Sequence, residues 1–426
     1  MLTKMNRTAV AITTVLMWAL AASVAHAQKA GGFEAAPVLP GAKLAPAALL
    51  KGPLHTVAEP VKMEGYFGRF VIESKVGKFS VAGERMLTVR VNELRAIQEL
   101  QKIHADAAFQ DALKNSASAS VRVVKNAVTD PEKTVENVGK GVGSIFGSVK
   151  NTLSTATAAV TDSATDLTSS KSKPKSAAAP AGEPEPPSFT GDPFGYNKAR
   201  REWAKKLQID PYTSNPVLQP LLDDAARATF AGNFAVGLVT GVVGMTATLE
   251  TTVQDEVWNT GPNDLLKANE AKLLALGVAP RTVRDFYRNK WFTPTLQTAL
   301  TALAVKLGKL PGIESLIATA AQVQGETRAR FLVDSVRMLV TYSEKEARFT
   351  SLRMSRLVPV GITADGTAVA GAAIDYAWWD KGAAEFTQRK GAEGKKKVLL
   401  IAGAASERAN AELTRAGFTV RTGLRP

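Results

Sequence analysis

The sequence predicts a mainly helical protein that ends in a small α/β module. Three observations lead to this prediction: long stretches with apolar residues every three or four positions, a Pro- and Ser-rich stretch that interrupts them, and short apolar runs near the C-terminus. The chain has 426 residues, of which 45% are hydrophobic and 22% are charged. This balance is typical of a folded protein and excludes one with many membrane spans.

The absence of cysteine excludes whole classes of chemistry. Without thiolates the chain has no disulfide, no cysteine nucleophile, no zinc finger and no iron–sulfur cluster. Of its 3 histidines, only His55 and His104 lie beyond the first 27 residues, so the later regions have no histidine for a Ser-His-Asp triad or a histidine-rich metal site. The sequence leaves enzymatic activity open, favours a non-catalytic role and predicts no cofactor.

Residues 1–27 have the three parts of a secretory signal peptide. Lys4 and Arg7 precede an uncharged apolar stretch, which ends in a box of small residues of the A-x-A type. We therefore expect cleavage between Ala27 and Gln28 and a periplasmic or secreted protein. An uncleaved anchor helix is the alternative interpretation.

The region at residues 61–168 is predicted to be a β-hairpin followed by helices. It is preceded by residues 28–60, which are rich in Ala, Pro and Leu without a sustained period and predict an extended tether. Residues 66–74 and 79–82 have strand composition on either side of a turn. A helix with apolar residues every three or four positions is predicted to open at Gly83-Glu84.

Residues 135–167 carry a narrow apolar stripe whose opposite face consists of Gly, Ser and Thr. A polar face of that kind, with few charges, is typical of helices that lie on lipid surfaces. The side chains expected to contact lipid are Val142, Ile145, Phe146, Val149 and Leu153. Packing of the stripe inside the protein and disorder of the segment are the two other interpretations.

A disordered linker is predicted at residues 169–192, where Pro, Ser, Ala and mixed charge replace the apolar residues. Residues 193–356 then form a helical domain. Its clearest predicted helices are 263–276, 280–290, 293–307 and 311–348. Residues 228–249 are uncharged and contain a G-x-x-x-G pattern, which leaves both a buried helix and a membrane-inserted helix open.

A basic face is predicted on one of these helices. Arg281, Arg284 and Arg288 fall on the same side at helical spacing. They are expected to contact an anionic ligand such as a lipid headgroup or a glycan, with aromatic rings stacking on it. Those rings are Phe286, Tyr287, Trp291 and Phe292. A solvated basic face in front of a buried aromatic face explains the same pattern.

Residues 357–426 are predicted to form the α/β module, in the order ββα-βαβ and with at least one parallel strand pair. Its first two strands flank Asp365-Gly366, a typical hairpin turn. Gly403 and Ser406 lie between a strand and a helix, as in phosphate-binding turns, but the further glycines and the lysine of such loops are missing. We therefore interpret Ser406 as a helix N-cap.

Paired carboxylates offer the one catalytic alternative. Acids are adjacent at Asp223-Asp224 and Asp255-Glu256, and Asp375 and Asp380 lie beside Trp378 and Trp379. Two carboxylates about 5–9 Å apart across a cleft would suit glycoside hydrolysis, whereas a solvated helix face explains the adjacent pairs without any chemistry.

The sequence as a whole predicts an exported, envelope-associated binding or structural protein without catalytic machinery. Its formal net charge of +14 favours anionic lipid or envelope polymer as a partner, whereas plain solubility explains the same modest and scattered charge without any partner. The chain has no basic stripe of the kind that nucleic-acid-binding proteins carry, so a nucleic-acid partner is not expected. The alternative function is a carboxylate-dependent hydrolase that acts on cell-wall polymer.

Overall fold

Helices predominate in the structure, and a β-sheet lies towards each end of the chain. The computed structural model describes residues 32–115, 196–230 and 251–425, and from Ala36 onward these residues belong to one compact unit. The fold is therefore mixed α/β with more helix than strand, as the sequence predicts. Within these described ranges, no helix has both the length and the apolar character that crossing a membrane requires.

The N-terminal sheet is antiparallel and is built around its longest strand, β5. The strand β5 pairs with β6 over most of its length, with β4 near its start and with β3 near its end. Its strands are β1 (Val38–Leu39), β2 (Lys51–Gly52), β3 (His55–Val57), β4 (Val61–Glu64), β5 (Phe67–Ser74) and β6 (Gly77–Ala82). A four-residue helix, α1 (Ala47–Leu50), connects β1 to β2.

The β5–β6 hairpin and the helix after it confirm the sequence prediction. The helix α2 (Glu84–His104) begins directly after β6 and is followed by α3 (Ala107–Asn115). The predicted tether, by contrast, is wrong from β1 onward, because this stretch supplies three strands of the sheet. Its buried side chains, such as Leu44 and Leu49, are spaced irregularly along turns and short strands, so no periodic apolar pattern predicts their burial.

The middle of the chain is helical and largely follows the predicted pattern. Its helices are α4 (Tyr196–Leu207), α5 (Leu218–Phe230), α6 (Thr251–Asn259), α7 (Pro262–Ala275), α8 (Pro280–Tyr287), α9 (Pro294–Leu307), α10 (Ile313–Gln322) and α11 (Glu326–Lys345). Proline occupies the first turn of α7, α8 and α9, where its missing N–H is not needed.

The helix predicted at 311–348 is instead two helices, α10 and α11. The break falls at Val323–Gly325, where Val323 is extended and Gly325 has a φ of 99°. That positive φ ends the helical path at little cost only because the residue is glycine. The apolar spacing continues across the break, which is why the pattern alone did not locate it.

The C-terminal sheet has five strands in the order β13-β11-β9-β8-β7. They are β7 (Phe349–Ser355), β8 (Val358–Thr363), β9 (Thr367–Ala372), β11 (Lys396–Ile401) and β13 (Phe418–Arg421). The strands β7, β8 and β9 are antiparallel, and β9, β11 and β13 are parallel. The helices α12 (Lys381–Thr387) and α13 (Glu407–Arg415) connect the parallel strands, and a small parallel pair, β10 (Tyr376–Ala377) and β12 (Ala404–Ala405), lies beside them.

This sheet contains the predicted order of strands and helices, with Gly366 at a φ of 82° in the predicted turn. It also contains one strand that the sequence analysis assigned to the helical domain, β7. The register of β7 shifts between Phe349 and Ser351, which disrupts the alternation that marks a half-buried strand.

Two hydrophobic clusters cover the two faces of the C-terminal sheet. One contains Val369 and Leu400 together with the helices from α6 to α11. The other contains Val360 of the sheet, Phe70 of the N-terminal sheet and Trp203 of α4, so it joins side chains from all three predicted regions. The domain limits themselves stay predictions, because residues 116–195 lie outside the described part.

Candidate functional site

Two of the three predicted basic residues, Arg281 and Arg284, lie on the exposed face of α8, and Arg288 caps its C-terminal end in helical conformation. The side chains of Arg281 and Arg288 are 88% and 79% exposed, and Arg284 is exposed between them. Asp285 approaches Arg281 and Arg288 only at 3.9 and 4.0 Å, the outer limit of an ion pair. Exposed pairs of this length stabilise a protein very little, so the positive charge of this face remains available to a ligand.

Both ends of α8 are fixed to α10, which gives the basic face a rigid support. At its start, Glu314 accepts a 2.7 Å hydrogen bond from the backbone N–H of Ala279 and another from the Thr282 hydroxyl. Just beyond its end, the Asn289 amide donates to the carbonyl oxygens of Ala320 and Val323 at 2.9 and 2.8 Å. The arginines therefore project from a backbone that is held at both ends.

Three of the four aromatic residues around α8 are buried. Phe286 is fully buried, and Trp291 and Phe292 are 5% and 2% exposed. Phe286 and Phe292 pack against each other with ring centroids 5.0 Å apart. The expectation that these rings stack on a glycan is therefore wrong for all except the half-buried Tyr287, and the face offers charge rather than stacking.

The adjacent carboxylate pairs serve the structure of the helices. Asp223 accepts a hydrogen bond from the Tyr196 hydroxyl at 2.6 Å and forms an ion pair with Arg200. Asp224 pairs with Arg227, and Glu256 pairs with Lys272, both at 2.8 Å. Asp255 is exposed. Asp223, Asp224 and Glu256 are thus engaged with cations of their own helix or of a neighbouring helix.

Asp380, the second acid of the aromatic group, is also structural. It caps α12 by accepting from the backbone N–H of Ala383 at 2.8 Å, and it accepts from the Tyr66 hydroxyl. Trp378 is buried with its ring centroid 4.9 Å from that of Tyr66. These contacts join the C-terminal module to the N-terminal sheet.

Asp375 lies at a small cavity that sequence reasoning did not anticipate. The cavity is at the carboxyl ends of β9 and β11, where they meet the starts of α2 and α11, and this edge of a parallel sheet is a common location for ligands. Its polar lining comprises Glu84, Arg85, Thr327, Arg330, Asp334 and Asp375. These residues come from segments far apart in sequence, and no local motif marks them.

The carboxylates of the cavity are held in fixed positions. Asp375 accepts from the backbone N–H of Gly68 at 2.8 Å and of Glu84 at 3.0 Å, and its burial raises its pKa to about 7. Burial also raises the pKa of Glu84. Asp334 forms ion pairs with Arg85 at 3.3 Å and with Arg337.

The size of the cavity limits what it can hold. Its volume of about 40 Å³ is enough for a few water molecules but too small for a sugar ring. Among the described residues, no three His, Asp or Glu side chains are arranged to hold a metal ion. A raised pKa and a sheet-edge location alone do not make this cavity a hydrolase site.

Ser406 is the N-cap of α13, as predicted, because its hydroxyl accepts from the backbone N–H of Ala409 at 2.9 Å. Gly403 is needed for a close backbone approach: a Cβ there would lie 1.9 Å from the carbonyl oxygen of Asp375. The turn is thus closed by protein atoms rather than open to a phosphate. His104 is half-buried with its ring 4.7 Å from that of Phe109.

Several predicted features lie outside the described residues. They are the signal peptide, the linker, most of residues 228–249 and the five stripe residues Val142, Ile145, Phe146, Val149 and Leu153. Comparisons with protein-family models, with curated proteins and with solved structures find no match to this chain.

Proposed function

We propose that this chain is a non-catalytic binding protein that associates with an anionic envelope surface through the basic face of α8. The observation that supports the proposal is the set of three exposed guanidinium groups on a rigidly anchored helix, with only one weakly paired acid among them. Cations at positions three and four apart on a helix repel each other, so such a face is stabilised when an anion approaches it.

The partner that best fits this face is a dense array of anionic groups, such as lipid headgroups or a charged envelope polymer. Because Phe286, Trp291 and Phe292 are buried, these rings cannot stack on a neutral sugar, and the contribution of the face is mainly electrostatic. Each basic residue near an anionic membrane contributes about 1 kcal/mol to binding, and salt screens that contribution. Three arginines would therefore supply about 3 kcal/mol.

Two further parts of the proposal concern regions outside the described residues. The apolar stripe at 135–167 is proposed as a second contact with lipid, and residues 1–27 as an export signal. The hydrolase alternative has less support, because every acid pair considered has a structural role or solvent exposure and the carboxylate cavity is too small for a glycan.

Charge reversal at Arg281→Glu, Arg284→Glu and Arg288→Glu tests the proposed face. With vesicles containing phosphatidylglycerol, we expect cosedimentation of the triple variant to weaken by at least about a hundredfold at low salt, which is the loss of three such contributions. Binding of the unchanged chain should itself fall as salt rises.

The matched control reverses Lys43, Lys51 and Lys62, three exposed lysines of the N-terminal region, and so changes the net charge equally. This control should retain most of the binding. Equal losses in both triple variants would show that binding follows net charge only, and unaltered binding by the α8 variant would refute the proposed face.

Export has its own test in the native host. Mass spectrometry of the purified protein should find an N-terminus at Gln28, because the signal peptidase recognises the small residues before it. An N-terminus at Met1 on the native protein would contradict the proposed export signal, without affecting the proposal for α8.

A further inference from the structure

Asp375 lies at a junction of three segments of the chain. Its carboxylate accepts from the backbone N–H of Gly68 in β5 and of Glu84 at the start of α2, at 2.8 and 3.0 Å. The N–H of Gly83 donates in turn to the carbonyl oxygen of Gly68 at 2.9 Å. The backbone N–H of Asp375 itself donates to the carbonyl oxygen of Tyr66 at 3.1 Å. One side chain of the C-terminal module therefore completes the junction between β5 and the start of α2.

The cations nearest to Asp375 each have another partner. They are Arg85, which pairs with Asp334 at 3.3 Å, Arg330, which bonds to Glu326 at 2.9 and 2.7 Å, and Arg425, which donates to the carbonyl oxygen of Leu44 at 3.1 Å. Within the described residues, the side-chain oxygens of Asp375 form hydrogen bonds only with the two backbone N–H groups. The nearby carboxyl group of Glu84 accepts a 3.4 Å bond from the Thr88 hydroxyl. An ionised Asp375 therefore has a second acid beside it and no cation bonded to it.

Burial makes the negative charge of Asp375 costly. The residue is only 8% exposed, and a buried carboxyl group without a cationic partner favours its neutral form. Burial accordingly raises its pKa to about 7, and the charge of Glu84 adds to the increase. Burial also raises the pKa of Glu84. As the pH rises through neutrality, negative charge therefore accumulates in one small cavity.

We infer that Asp375 is a pH-controlled latch: when protonated it keeps β5 and the start of α2 closed on the C-terminal module, and its ionisation favours local opening of this junction. Opening hydrates the carboxylate and moves it away from Glu84, so the open form releases the proton that the closed form retains. The ring pair of Tyr66 and Trp378, with centroids 4.9 Å apart, does not involve Asp375 and keeps the two sheets joined while the junction opens. The latch does not depend on the basic face of α8.

Hydrogen exchange of the full chain, followed by mass spectrometry, tests the latch. Peptides that contain Gly68 and Glu84 should lose protection by about tenfold between pH 6 and pH 8, after correction for the intrinsic exchange rate. This factor is expected for a carboxyl group whose pKa is about 7 in the closed form and ordinary in the open form. At pH 8 these peptides should also be less protected than α9, whose buried amides report opening of the helical core.

Two variants separate the latch from a general effect of pH. Asp375→Asn stays neutral and can keep both bonds, because one oxygen, Oδ2, reaches the N–H groups of Gly68 and Glu84 at 2.8 and 3.2 Å. Its protection should therefore be the same at both pH values. Glu84→Gln removes the neighbouring charge and should show a smaller loss than the unchanged chain. As a matched control, Glu73→Gln at an exposed acid of β5 should behave as the unchanged chain does.

The inference is overturned if the peptides of the unchanged chain keep their protection at pH 8, or if Asp375→Asn loses protection equally. Protection as strong as that of α9 would also overturn it, because the junction would then open only together with the whole fold. If Asp375→Asn does not fold, Glu84→Gln decides the question. A loss equal to that of the unchanged chain contradicts the latch, and a smaller loss supports it.

Discussion

Replacing Asp375 with alanine is expected to lower the free energy of unfolding by about 2–4 kcal/mol, because two buried backbone donors lose their acceptor. These donors are the N–H of Gly68, at 2.8 Å, and that of Glu84, at 3.0 Å, in the first turn of α2. Since Gly83 offers no side-chain cap, Asp375 is the group that satisfies the start of this helix. Denaturant unfolding monitored by circular dichroism measures the loss.

The pH dependence of stability provides a second readout for Asp375. Burial raises its pKa from 3.8 to about 7, against the effect of the two N–H donors and of Arg425, while the charge of Glu84 adds to the increase. The folded state therefore holds a proton that the unfolded state releases, so this group's stabilising contribution is present below about pH 4 and is lost as the pH rises to about 7. Asp375→Asn, which stays neutral, should remove this part of the slope.

The comparison of Asp375→Asn with the unchanged chain isolates this group from the other acids. As the pH rises from 5 to 8, the unchanged chain should lose stability relative to Asp375→Asn, because only the aspartate gives up a proton in this range. A difference that is independent of pH would contradict the raised pKa. A loss of less than about 1 kcal/mol in Asp375→Ala would contradict the capping role.

Removal of Glu326 is expected to have a still larger effect, about 3–5 kcal/mol, because it leaves a buried cation uncompensated. Glu326 accepts two hydrogen bonds from Arg330, at 2.9 and 2.7 Å, and the Arg330 side chain is only 10% exposed. Burial alone would raise the pKa of Glu326, but the charges of Arg330 and Arg90 together hold it below its ordinary value. The carboxylate is therefore ionised and paired at neutral pH.

Three variants distinguish the lost pair from a lost packing contact. Glu326→Ala should lose the full amount, and Glu326→Gln should lose less because it keeps an acceptor. The double change Glu326→Leu with Arg330→Leu should recover part of the loss, since the Arg330 cation is removed together with its partner. Equal losses for all three variants in denaturant unfolding would mean that the site matters for its shape only.

The features that the sequence predicted correctly are those that local chemistry determines. The turn at Gly366, the N-cap Ser406 and the β5–β6 hairpin each depend on residues that are near one another in the chain. The exposed arginines of α8 were found for the same reason, since helical spacing alone places them on one side.

The cavity and its capping contact could not be predicted in this way. Asp375 was recognised as an acid near aromatic residues. Its partners Gly68 and Glu84 lie about three hundred positions away, and no local sequence motif indicates the contact. The turn between β7 and β8 was not predicted either. Its residue Arg356 has a φ of 56°, whereas hairpin turns are recognised in a sequence by Gly, Asn or Asp at such positions.

The bond between Gly68 and Asp375 has a consequence for the order of folding. It joins residues 307 positions apart, so the N-terminal sheet is synthesised long before the acid that completes the start of α2 exists. At usual elongation rates of about 5–20 residues per second, the delay is roughly 15 to 60 seconds. During that interval the N-terminal sheet lacks the part of its hydrophobic cluster that Val360 and its neighbours supply, and contacts of such long range make folding slow. A nascent chain of this protein thus stays incompletely folded until its last hundred residues emerge, a state in which chaperones can hold it.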